Sequence, residues 1–133
     1  MKNMIENKEI KVMVAEKKQD VLNSVIEILK ARPFKLSYSS VDGEVIRNLK
    51  NYDYDLILIG EIEGGISPFD LMKAVVKISP MTSVILITDA PEEEVHERAE
   101  GYGILGSIAG DVPKEKLIQF LDGFEAILKS AST

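Results

Sequence analysis

The chain has 133 residues, of which 45% are hydrophobic and 29% charged, values that fit one folded domain over residues 1–133 and exclude long disorder. No cysteine and a single histidine exclude disulfides, thiolate metal sites, cysteine nucleophiles and multi-histidine metal sites. A net charge of −6 argues against nucleic acid as a partner. No apolar run approaches the roughly 20 residues of a membrane span, and the first ten residues lack a signal-peptide pattern, so a cytoplasmic domain without membrane contact is expected.

Residues 1–8 are polar and read as a loose lead-in. Ile10 to Ala15 is a short β-branched run that predicts a strand. From Gln19 to Ala31, Val21, Leu22, Val25, Ile26, Ile28 and Leu29 recur at helical spacing, and Pro33 ends that helix because the residue before a proline avoids the helical region. Phe34 to Ser39 alternates like a strand. Asp42 is placed to cap a short helix carrying Val45, Ile46 and Leu49. Asp55 to Ile59 is continuously apolar after its first residue, as in a strand buried on both faces.

A glycine-rich loop spans Gly60 to Ile66. Ser67, Pro68 and Asp70 then mark a helix start, and Pro80 marks its end. Val84 to Thr88 predicts another buried strand. Pro91 and the three glutamates after it predict a helix start, since carboxylates favour the positive end of the helix dipole. Ile104 to Ile108 reads as a glycine-interrupted strand. Lys114 to Lys129 predicts the last helix, with residues 130–133 as a frayed tail. The core therefore runs from about residue 9 to 129.

Five strands alternating with five helices predict an α/β fold: a doubly wound, five-stranded parallel sheet of flavodoxin type with helices on both faces. Such a sheet places its functional crevice at the carboxyl ends of the strands, here at and just after Ala15, Ile59, Thr88 and Ile108.

At those positions the sequence resembles a bacterial two-component response-regulator receiver domain. The segments that carry the likeness are IKVMVAE (10–16), YDLILIG (54–60), VILIT (84–88) and, most specifically, GILGSIAGDVPKEKL (103–117). The resemblance implies a receiver-type fold and a phosphorelay signalling role. It also implies an acceptor aspartate on the third strand and two acidic residues after the first that hold Mg²⁺. A Ser/Thr hydroxyl that ends the fourth strand, a lysine after the fifth and an aromatic switch residue complete the set.

Carried over residue by residue, the acceptor position is Gly60 and the acidic pair is Glu16 and Lys17. The hydroxyl position is Thr88, the aromatic position Ser107 and the lysine position Gly110. The nucleophile is missing, and one carboxylate beside an ammonium is a poor site for Mg²⁺. The expectation is a degenerate pseudo-receiver: not an enzyme, with no cofactor and no metal, working through a protein partner or homodimer at about residues 91–129. The sequence shows no DNA-binding segment after the core, so output is expected to pass through that partner.

Two alternatives stay open. A small ligand could fill the space left by Gly60 and Gly110, or Asp89 or Glu61 could act as a displaced phosphoryl acceptor. Plainer readings also stand beside the sharp ones. Thr88 can be a local cap, and Glu16 and Lys17 solvated loop residues. The glycines of 60–66 lack a P-loop lysine and suit an ordinary strand-to-helix loop. His96 reads as a surface histidine, the stripe Leu117, Phe120, Leu121, Phe124 and Leu128 as core, and Gly123 as a costly helix residue that could admit close packing.

Overall fold

The computed structural model describes residues 9–132. Its elements run β1 (Ile10–Ala15), α1 (Gln19–Leu29), β2 (Phe34–Ser39), α2 (Asp42–Asn51), β3 (Leu56–Ile59), α3 (Pro68–Ile78), β4 (Ser83–Ile87), α4 (Glu92–Ala99), β5 (Gly106–Ile108) and α5 (Lys114–Ser132). All strand pairs are parallel, in the order β2-β1-β3-β4-β5. This is the expected doubly wound α/β sheet.

Burial explains the layering. Val12, Met13, Val14 and Ala15 of β1 and all four residues of β3 have no exposed surface. Successive strand residues face opposite sides, so two cores form. Val12, Val14, Leu56, Leu58, Ile85 and Ile87 meet α1 and α5 on one face. Met13, Ala15, Ile57, Ile59, Val84 and Leu86 meet α2, α3 and α4 on the other. A strand apolar on both faces cannot leave either to water, so helices must cover both.

Several boundaries differ from the sequence reading. The first helix stops at Leu29 rather than Ala31: Lys30 is its C-cap, and the Arg32 amide turns back to the Leu29 carbonyl at 3.0 Å ahead of Pro33. Asp42 lies inside α2 rather than capping it. Val41 is the N-cap, held extended by its bridge to Glu63, while an Asp42 carboxylate oxygen accepts from the Gly43 amide. Ser67 caps α3 as expected, its hydroxyl accepting from the Asp70 amide at 3.1 Å.

β3 begins at Leu56; Asp55 before it still bonds both neighbours through its backbone, to Lys11 and Ser83, and its carboxylate also accepts from the Lys11 amide at 2.9 Å. β4 ends at Ile87, so Thr88 lies just past it. β5 is shorter than expected at three residues, since Gly103 holds a left-handed turn (φ 69°) that keeps Ile104 out of the strand. Residues 130–132, expected as frayed tail, continue α5, whereas the lead-in 1–8 and Thr133 lie outside the described residues.

Phe124 is the largest fully buried side chain and meets Phe34 edge-on, with ring centroids 6.4 Å apart. Phe124→Ala is expected to cost about 3–5 kcal/mol. Urea unfolding monitored by circular dichroism should show a lower midpoint with an unchanged slope.

Candidate functional site at the carboxyl ends of the strands

In this sheet order the chain reverses direction between β1 and β3, so the residues just past those two strands flank the crevice. They are Glu16 and Gly60. The Glu16 amide bonds Ser39 and the Gly60 amide bonds Ala15, which extends the ladders by one residue and brings the two positions side by side.

Glu16 is only 2% exposed. Its carboxylate accepts from the Lys18 amide at 2.9 Å. A Cβ placed on Gly60 would overlap Glu16 Oε1 and lie 2.9 Å from its Cδ. The Glu16 carboxyl therefore occupies the volume into which any side chain at Gly60 would grow. Glycine is needed here for close approach.

The charge around this carboxyl is mixed. Burial is the largest influence and pushes Glu16 above the ordinary glutamate range, with the Glu61 carboxylate adding to the rise. The amides of Lys18, Glu61 and Lys17 oppose it. The ammonium at the crevice is that of Lys18, whose Nζ lies 2.5 Å from Glu61. That hydrogen bond is the main cause of a raised Lys18 pKa, and Glu61, Glu16 and Asp89 add Coulombic attraction. Both partners of the pair are about half exposed, so its energetic worth is small and its importance is positional.

Two of the remaining positions differ from expectation. The sequence reading puts the Lys17 ammonium in the crevice. Instead its side chain is exposed and makes no ion pair among the described residues, while its amide bonds the Glu61 carbonyl at 2.7 Å. The physical reason is the chain's turn into α1, which directs Lys18, the N-cap, across the crevice. Strand alternation would turn Glu61 away from it. Yet Glu61 lies beyond β3, where alternation no longer governs it, and meets Lys18.

Thr88 accepts from the Ala90 amide at 3.1 Å, as a local cap does. Asp89 accepts from the Gly110 amide at 2.8 Å, and its carboxylate lies 3.1 Å from where a Gly110 Cβ would be. The spaces beside Gly60 and Gly110, expected to be vacant, are thus filled by Glu16 and bordered by Asp89. Ser107 lies on β5, away from this cluster, in a groove between α4 and α5.

The residues do not fit the Mg²⁺ that the family resemblance implies. One oxygen of the single buried carboxylate is taken by an amide, the next residue is an exposed lysine, and a second ammonium spans the crevice. Among the described residues no three His, Asp or Glu side chains are placed to hold a metal ion. No membrane-spanning helix occurs among them either.

Two features escaped sequence reasoning. Lys18 carried a faint signal as a second cation after the first strand. Val112 carried none: it is buried, yet has φ 53°, a conformation that β-branched residues rarely adopt, in the tight turn closed by its amide on Ala109.

Two outcomes are expected. Gly60→Ala should destabilise by about 1–3 kcal/mol through overlap with Glu16. A double-mutant cycle with Glu16→Ala should return a coupling of about 1 kcal/mol or more, and simple additivity would contradict the geometry. For pH, the raised Glu16 pKa means the folded state keeps a proton that the unfolded chain has lost. The contribution of this group to stability is then full at acidic pH and falls as pH rises through the folded-state value. Glu16→Gln should melt above the wild type at pH 7, with the gap closing as pH drops through the glutamate range.

No protein-family model and no curated protein matches the sequence. Solved structures do match. A CheY-like response-regulator receiver domain from Methanospirillum hungatei superposes with a TM-score of 0.81 at 15% identity, covering 93% of this chain and 99% of that one. The receiver domain of an HD domain-containing protein from Pseudomonas fluorescens gives 0.81 at 16%, covering 92% and 99%. That of a putative LuxO repressor from Vibrio parahaemolyticus gives 0.81 at 14%, covering 93% and 95%. A five-stranded parallel sheet in this order, shared over nearly the whole length at such low identity, gives the chain the fold of response-regulator receiver domains.

Proposed function

We propose that this protein is a receiver-type signalling module that acts in the cytoplasm through protein–protein contact, without being phosphorylated and without catalysing a reaction. The observation that carries the reading is the Glu16 carboxyl seated against Gly60. Phosphoryl transfer to a carboxylate depends on placing a nucleophile among preorganised charges. In this crevice the acceptor position has no side chain, and its volume is taken by a carboxyl group held by an amide. The Thr88 hydroxyl is engaged locally. The Gly110 position offers no ammonium, and Asp89 occupies its neighbourhood.

A displaced acceptor is a weaker reading on the same geometry. Glu61 is neutralised by Lys18, and Asp89 is bonded to the Gly110 amide. A ligand-sensing reading loses the empty crevice on which it depended. The output surface is assigned to the segment from about residue 91 to 129, which spans α4, β5 and most of α5, as a seat for a partner protein or a second copy.

The test is incubation with acetyl phosphate and Mg²⁺ and then intact-mass measurement. The mass should not change. A stoichiometric, base-labile phosphoryl adduct would overturn the proposal, and its mapping to Asp89 or Glu61 would identify a displaced acceptor.

A further inference from the structure

The face between α4 and α5 carries an open groove of about 790 Å³. Its floor is apolar and made by half-buried side chains where both cores reach the surface: Leu105 and Phe120 from one, Ile104 from the other. Gly106 shapes that floor. A Cβ there would collide with the Phe120 ring, so the bare backbone lets the end of that ring come up against β5. β5 is an edge strand, the last in the sheet order.

The charge on the walls is one-sided. Glu92, Glu93 and Glu100 line the groove against one lysine, Lys116, and the histidine of α4, His96. Lys116 is already engaged, its Nζ 3.6 Å from Glu92, which leaves Glu93 and Glu100 as exposed carboxylates without an ion pair among the described residues, on the α4 side. The arginine of α4, Arg98, is turned away to stack on Phe69 at 4.0 Å and to pair with Glu94. The packing of α4 thus turns its arginine, with Glu94, away from the groove and leaves Glu92 and Glu93 of α4 and Glu100 just after it on the groove side.

From this we infer that the groove takes a cationic amphipathic segment of a partner protein, with aliphatic side chains laid on Ile104, Leu105 and Phe120 and Lys or Arg side chains facing Glu93 and Glu100. The charge complementarity selects the partner. A second copy of this chain fits less well, because its corresponding face brings the same excess of carboxylates. The inference rests on the proposed output surface and adds the chemistry of what it binds.

The experiment is titration of the full chain with a synthetic amphipathic peptide of leucine and lysine at helical spacing, monitored by amide NMR. A peptide with glutamate for each lysine is the control. The lysine peptide should shift the amides of Gly106, Ser107 and Phe120, and its affinity should fall as salt rises. The double variant Glu93→Gln, Glu100→Lys, altered at exposed positions that leave the core intact, should bind about tenfold or more weakly. Equal binding of the glutamate peptide, shifts elsewhere, or undiminished binding by the variant would overturn the inference.

Running the titration with and without acetyl phosphate and Mg²⁺ separates the two readings. Binding that appears only with a phosphoryl adduct would overturn the phosphorylation-independent function and leave the groove's chemistry standing. No binding in either condition, with unchanged mass, would overturn the groove's chemistry alone.

Discussion

The arrangement depends on two neighbouring strands, β1 and β3, being closed to water on both sides. Their inner residues have no exposed surface. Two apolar faces require two helical layers, and short parallel strands joined by helices can supply both only by winding in two directions from the middle of the sheet. The reversal falls between β1 and β3. The residues that leave the carboxyl ends of those two strands are therefore brought together, whatever their chemistry, and Glu16 meets Gly60 for that reason.

The chemistry at that meeting point is unusual for what it buries. A carboxyl group out of water is costly unless it is hydrogen-bonded or neutralised. Here the cost is reduced by the amides of Lys18, Glu61 and Lys17, and the pKa still rises because burial outweighs them. The volume that admits the carboxyl exists only because Gly60 has no side chain. Asp89 and Gly110 repeat the relation in weaker form, a carboxylate bonded to the amide of a glycine and lying against it. At both positions a glycine stands next to an acid from a neighbouring strand end, and the acid fills or borders the space.

The opposite flank of the molecule is shaped by the short β5. With three residues in the ladder, β5 cannot hold α4 and α5 closely against its edge, and a groove stays open between them. Phe120 partly fills it, with the end of its ring against Gly106. The carboxylates of α4 serve two ends here: those in its first turn favour the helix dipole, and those on the groove side colour the surface acidic.

Much of this was legible in the residues. Apolar runs such as LILI and VILI specify strands buried on both faces, because no other local structure hides every side chain over four residues. The Ser67–Pro68–Asp70 cap, the prolines after α1 and α3, and the helical stripes on α1 and α5 act through near-neighbour sterics and hydrogen bonds, and these need no partner from elsewhere in the chain. The glycines at 60 and 110 were visible as departures from the receiver pattern. Tertiary structure alone decided where the charges went. Lys17 and Lys18 are adjacent and chemically identical, and only the turn into α1 puts the second across the crevice. Whether the Glu16 carboxyl lies in solvent or against Gly60 depends on the register of β1 with β3, which joins residues 44 apart in sequence. Side-chain direction beyond a strand end is set by packing across the sheet, and local sequence carries no record of it.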